Sequence, residues 1–152
     1  MADGVVFALD MKHFGEKIAA LGPAGQAKAE AAIIAGAQDM AAAARALVPH
    51  KTGHLRETIK VELDHEHHGA RVVVGDKSTM VEIRKGSGVY WQLALLIEYG
   101  VKKHRAGGLF KGAWIPFHKS PFFWPAYRLM RKRVRARIVR NVNQAFRDVA
   151  GK

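Results

Sequence analysis

Residues 49–59 read Pro49-His50-Lys51-Thr52-Gly53-His54-Leu55-Arg56-Glu57-Thr58-Ile59, and they separate a long alanine-rich run from the first alternating apolar segment. Pro49 lacks a backbone N–H and disfavours helical geometry at Val48, so a preceding helix should end there. Gly53 suits a tight bend or a close backbone approach. Leu55, Ile59, Val61 and Leu63 share the parity of one strand face, interrupted by the charged Glu57. A chain that changes from helical spacing to alternation here belongs to the α+β class. The stretch holds no nucleophile–base pair at catalytic spacing and reads as a structural junction.

Upstream, residues 1–8 read as a flexible or weakly paired arm. Leu9, Phe14, Ile18 and Leu21 recur at helical spacing and predict a short helix over 9–21, broken by Gly22-Pro23. A longer helix follows over about 24–47. Alanine favours it intrinsically, and Ile33, Ala37, Met40, Ala44 and Leu47 supply its apolar stripe. Downstream, residues 55–63 and 70–75 predict an antiparallel pair across the polar turn Asp64–Gly69, and Met80–Arg84 a further short strand. Over 89–99 periodicity permits either a short helix or a bent strand. Residues 101–119, with Gly107-Gly108, Gly112 and Pro116, read as an extended loop. Ser120-Pro121 suits a helix start, with serine as the cap and proline at the first helical position. Phe123, Tyr127, Met130, Val134, Ile138, Val142, Ala145 and Val149 then mark the apolar stripe of a final helix over about 121–149. The expected fold is a small antiparallel sheet packed by the alanine-rich helix and a long basic C-terminal helix. No repeat or linker divides the 152 residues, so one domain is expected.

The chain carries a formal net charge of +12, unevenly placed. Residues 1–98 hold 11 Lys/Arg against 12 Asp/Glu, whereas residues 99–152 hold 14 against the single Asp148. All the excess lies in the last third, which favours an acidic partner or nucleic acid. Cysteine is absent, excluding disulfides and thiolate metal sites. The N-terminus does not read as a secretory signal, because Asp3, Asp10 and Lys12 interrupt its short apolar opening. No apolar run approaches the roughly 18 residues of a membrane span, so no membrane partner is expected.

Few side-chain groupings suggest chemistry. His65, His67 and His68 with Asp64 and Glu66 form the one tempting metal cluster, but adjacent side chains in a hairpin turn diverge and no metal or cofactor is expected. Gly107-Gly108 lacks the Lys-Ser/Thr context of a phosphate loop. No catalytic constellation emerges, and an enzyme is not expected. Arg131-Lys132-Arg133, Arg135, Arg137 and Arg140 could contact phosphates, without a zinc finger, helix-turn-helix or RNA-reading sheet to read sequence.

The order of segments resembles the tailed-bacteriophage head–tail joining family, also called neck or tail-completion proteins. Three places carry the resemblance. The first is a helix ending in proline, then threonine-glycine, leucine-arginine and a strand: Pro49, Thr52, Gly53, Leu55, Arg56 and Thr58. The second is an aromatic residue followed by a glutamate–aromatic–glycine element: Tyr90, then Glu98, Tyr99 and Gly100. The third is Pro121-Phe122 before Pro125-Ala126 at a helix start. Val101 stands where members of the family often have threonine, and the segment from Lys102 to Ser120 is expanded.

The resemblance implies a subunit of a homo-oligomeric ring at the neck or proximal tail of a phage, or of a phage-derived gene-transfer particle, assembled in the bacterial host cytoplasm. Such a ring would dock adjacent head-closure, connector or tail proteins and keep the DNA passage continuous, with DNA nearby but not read by sequence. Glu98 is the isolated acid before the basic third and is a candidate partner for an arginine across the core or an interface, with ordinary surface solvation as the alternative. Arg131, Lys132 and Arg135 are candidates for a partner- or DNA-facing surface. The alternative is a small basic protein that binds nucleic acid without sequence preference.

Overall fold

The computed structural model describes residues 5–7, 18, 20, 22–50, 53–64, 66, 69–82, 85–105 and 114–150. Helix α1, Pro23–Leu47, opens with proline in its first turn, where the missing N–H costs nothing, and stops at Val48, just before Pro49. Its buried face runs through Ala29, Ile33, Gly36, Ala37, Met40 and Ala44. Leu47 was expected to close this stripe but is exposed, and Val48 takes the buried place where the chain leaves helical geometry.

The junction departs from its sequence reading. Leu55 does not begin a strand: Gly53, at φ 77°, introduces a single helical turn, α2, His54–Glu57. Leu55 is buried by that turn. The shared parity with Ile59 arises because i and i+4 meet on a helical turn as readily as on a strand. Strand β2, Lys60–Asp64, then pairs antiparallel with β3, Gly69–Val74, placing Val61 opposite Val72 and Asp64 opposite Gly69. Val5–Phe7 of the expected N-terminal arm form β1, which pairs with the other edge of β3, giving the order β1-β3-β2. Val72, Val73 and Val74 are buried, whereas Leu63 at the far end of β2 is exposed.

A 3₁₀ turn, Lys77–Thr79, leads into β4, Met80–Glu82, which pairs with β5, Tyr90–Gln92. The ambiguous segment 89–99 is both structures in succession: β5 ends at Gln92 and helix α3, Leu93–Tyr99, follows directly. The segment read as an irregular loop contains an antiparallel hairpin, β6, Val101–Arg105, and β7, Trp114–Phe117, with a register irregularity between Val101 and His104 that obscures the alternation. Most of the expected helix over 9–21 lies outside the described residues.

The last element, α4, Phe123–Ala150, lies antiparallel along α1. Val134, Ile138, Val142 and Ala145 pack with Ile18, Ala29 and Ile33 in one buried cluster. Phe122, Phe123 and Ala126 join Met40, Ala44, Leu55, Ile59, Val72 and Val74 in a second, between the helices and the sheet. Gly36 lets the two helices approach: a Cβ there would stand 2.6 Å from Val134 Cγ1. Salt bridges tie the helix pair at two places, Lys28 Nζ–Asp148 Oδ2 at 2.5 Å and Arg137 Nη1–Asp39 Oδ2 at 2.6 Å.

Candidate functional site

The second and third motif segments, more than twenty residues apart in sequence, meet at Glu98. This residue lies in the last turn of α3, on its buried side, and is 5% exposed. Its Oε2 accepts the backbone N–H groups of Phe122 and Phe123 at 2.8 and 2.9 Å, and its Oε1 accepts that of Trp124 at 3.0 Å. These amides belong to the opening of α4, where a helix leaves N–H groups without partners and presents the positive end of its dipole. Glu98 therefore pairs with a helix terminus and not, as its isolation before a basic region suggested, with an arginine. Charge-assisted bonds of this kind are stronger than neutral ones.

Two further contacts close the clasp. The Ser120 N–H donates to the Ile97 carbonyl at 2.8 Å, and the Trp124 indole Nε1–H donates to the Tyr99 hydroxyl at 2.7 Å. Ser120 precedes α4 by three residues and is not its cap. Pro121 likewise lies before the helix, and Pro125 occupies the first turn instead. The chain leaves the clasp at Gly100, at φ 68°, forms the β6–β7 hairpin and returns to it. Glu98 thus fixes both roots of that hairpin and the start of α4.

The first motif forms a second locus at the junction of helix and sheet. Thr58 is buried; its hydroxyl donates to the Leu55 carbonyl at 2.8 Å and accepts the Gly75 N–H at 3.1 Å. Arg45 of α1 reaches the Ile59 carbonyl. Arg56 is exposed and lies 3.0 Å from His50 Nε2, while Pro49 is exposed and Thr52 lies outside the described residues.

A neighbouring polar lock was missed at the level of sequence. The Asp76 carboxylate accepts from the Ser78 N–H at 2.9 Å and from the Ser78 hydroxyl. The Thr79 hydroxyl lies 3.0 Å from Gln92 Oε1, and Gln92 Nε2–H donates to the Asp76 carbonyl at 3.1 Å. The Ser78 hydroxyl, more than any other group, holds the Asp76 carboxyl below the usual aspartate value. A Cβ on Gly75 would lie 2.5 Å from Gln92 Oε1, so this residue, at φ 88°, meets both a backbone and a space requirement. The available signal was Asp76 three residues before Thr79, which is a capping box.

His54 Nε2 lies 2.8 Å from Ser78 Oγ and its Nδ1 4.0 Å from Glu57 Oε2. This superficially resembles a nucleophile with its base, but the Ser78 proton goes to Asp76 and the group lies on open surface, so Ser78 is not activated. Among the described residues no group of three metal-ligating side chains converges. His65, His67 and His68 lie outside those residues.

The cations of α4 point outward. Arg128, Arg131, Lys132, Arg133, Arg135, Arg140 and Arg147 are exposed and have no acidic partner among the described residues. Tyr90, Tyr99 and Leu95 also present exposed apolar area, along β5 and α3. Phe122 and Ala126, by contrast, are fully buried and act through packing.

A family model, HK97-gp10_like, described as "Bacteriophage HK97-gp10, putative tail-component", matches residues 12–100. The match runs through α1, α2, the four strands β2–β5 and the whole of α3, and stops at Gly100, so β6, β7 and α4 lie beyond it. No curated protein and no solved structure matches the chain.

Proposed function

From the premise that the chain belongs to the HK97-gp10-like family of bacteriophage tail components, we propose that it is a subunit of a ring in the head–tail connector or proximal tail. It is a structural protein of a phage or phage-like particle and not an enzyme. In this reading the ring docks neighbouring rings and keeps the DNA passage continuous, and assembly takes place in the host cytoplasm. The outer strands β1 and β2 of the described sheet and the exposed residues of β5, α3 and α4 offer the unlike surfaces that closed cyclic assembly requires.

The observation that carries the docking role is the set of exposed α4 cations, Arg131, Lys132 and Arg135 among them, that have no acidic partner among the described residues. The apolar stripe of this helix is spent on α1, and the clasp at Glu98 fixes its start, so Arg131, Lys132 and Arg135 are held on a rigid element without serving the fold. A surface ion pair contributes only about 0–1 kcal/mol, but a ring repeats each one and the weak contacts act together. These three cations steer an acidic neighbouring neck or tail protein, and DNA contact is secondary.

Combined charge reversal, Arg131→Glu, Lys132→Glu and Arg135→Glu, tests this in particles. The expected result is a folded subunit with reduced joining of heads to tails. Normal joining together with lost DNA binding by intact assemblies would reverse the assignment and favour the nucleic-acid-binding alternative.

A further inference from the structure

Helix α4 carries more on its docking flank than charge. At about 100° per residue, Arg128, Lys132, Arg135, Val139 and Phe146 fall within an arc of about 60°, beside the buried stripe of Val134, Ile138, Val142 and Ala145. The two kinds of residue are segregated along this flank: the cations occupy its N-terminal half, with Arg131 at its margin, and the apolar pair its C-terminal half. Val139 and Phe146 are 42% and 39% exposed, large apolar groups left in water on a helix whose core face is already covered. They are two turns apart, about 10 Å along the axis. The other flank differs: Leu129, Arg133, Arg140 and Arg147 line it, with arginine at every seventh residue and no such division.

We infer that the flank Arg128–Phe146 receives an amphipathic helical segment of a different protein, acidic in one half and apolar at heptad spacing in the other. The inference rests on the docking reading above and specifies the partner's chemistry. A duplex phosphate backbone would engage the cations but gain nothing from Val139 and Phe146, since phosphate contacts are made by charged and polar groups. A helix laid alongside α4 uses both halves, with apolar anchors two turns apart and carboxylates opposite the cations. The exposed acids that a second copy offers among its described residues, Glu57, Glu62, Glu66 and Asp148, lie on separate elements, and no helix carries more than one of them. Of these, Glu62 stands opposite exposed Arg71 in the sheet and beside exposed Lys60.

The test uses the full chain and three labelled probes in fluorescence anisotropy. The first is a helix-forming peptide with glutamates in one half and leucines at heptad spacing in the other. The second is a shuffled peptide of the same composition, and the third a short duplex DNA. The patterned peptide should bind at least about tenfold more tightly than the shuffled one, and Val139→Ser with Phe146→Ser should erase the difference. Circular dichroism confirms that the double variant is folded. Equal binding of both peptides, unchanged in the variant, would overturn the inference while leaving electrostatic steering intact, because charge reversal at Arg131, Lys132 and Arg135 would still weaken both. Tighter binding of the DNA than of the patterned peptide, lost on charge reversal at Arg128 and Arg135, would overturn it in favour of nucleic acid. Self-association of the wild type that the serine variant abolishes would overturn it in favour of contact between copies.

Discussion

Glu98 satisfies three backbone donors at once, so its replacement leaves more than one polar group exposed to the cost of burial. An unsatisfied buried donor costs about 1–3 kcal/mol, and partial rescue by water at a helix end reduces the sum. Glu98→Ala should therefore lower stability by about 2–4 kcal/mol, with Glu98→Gln, which keeps one acceptor oxygen, losing about half as much. Urea unfolding measures both, and a loss below about 0.5 kcal/mol for the alanine variant would show that the clasp is not stabilising. Asp76 gives a prediction in pH. Its carboxyl titrates lower in the folded chain than in the unfolded one, so the unfolded state takes up the proton first on acidification. The stabilisation from the Ser78 bonds is then fully present above about pH 4 and is lost as pH falls through the lower folded value. Asp76→Asn should flatten stability against pH in that acid range. An unchanged profile would assign the acid sensitivity to other carboxylates.

Between elements, the α1–α4 contact depends on the absence of a side chain. Gly36→Ala gains up to about 1 kcal/mol of helix propensity, but its Cβ would meet the branched Val134 at 2.6 Å, closer than packing allows. Overpacking of this kind costs about 1–3 kcal/mol, so a net loss of up to about 2 kcal/mol is expected. Val134→Ala alone leaves a cavity and also destabilises. Combined, the two should lose less than their sum by about 1 kcal/mol or more, because the alanine at 134 makes room for the one at 36. Strict additivity in a thermal or urea double-mutant cycle would place the cost of Gly36→Ala elsewhere. The helices themselves were readable from sequence, since proline at 49 and the three-four spacing of Ile33 to Ala44 and of Phe123 to Ala145 are local signals. Their mutual approach at Gly36 was not, because it depends on what stands opposite.

Over the whole molecule, charge and stability are largely separated. Among the described residues, α4 is held by an apolar stripe and by the ion pairs Lys28–Asp148 and Arg137–Asp39, while its remaining cations repel one another in solvent. The charge reversal proposed above should consequently leave the thermal midpoint unchanged or raise it, since it relieves like-charge repulsion. A lowered midpoint would mean that these side chains support the fold, and a joining defect could then no longer be read as lost docking. The family match ends at Gly100 whereas this field begins beyond it, so the docking surface is assigned on this chain's own residues.

The sequence by itself determined the α+β class, the two long helices, the sheet between them and the displacement of positive charge to the last third. Each of these is a local or additive property: helix bonds join residues four apart, strand faces alternate, and charges sum wherever they lie. Only the tertiary structure decided that Leu55 belongs to a helical turn, that three residues at Val5–Phe7 complete the sheet, and that a register irregularity hides a hairpin in the segment read as a loop. It also decided that Glu98 meets Phe122–Trp124 in place of an arginine. An acid far away in sequence leaves no local trace at the helix it caps, because its partners are backbone N–H groups, which every residue but proline possesses.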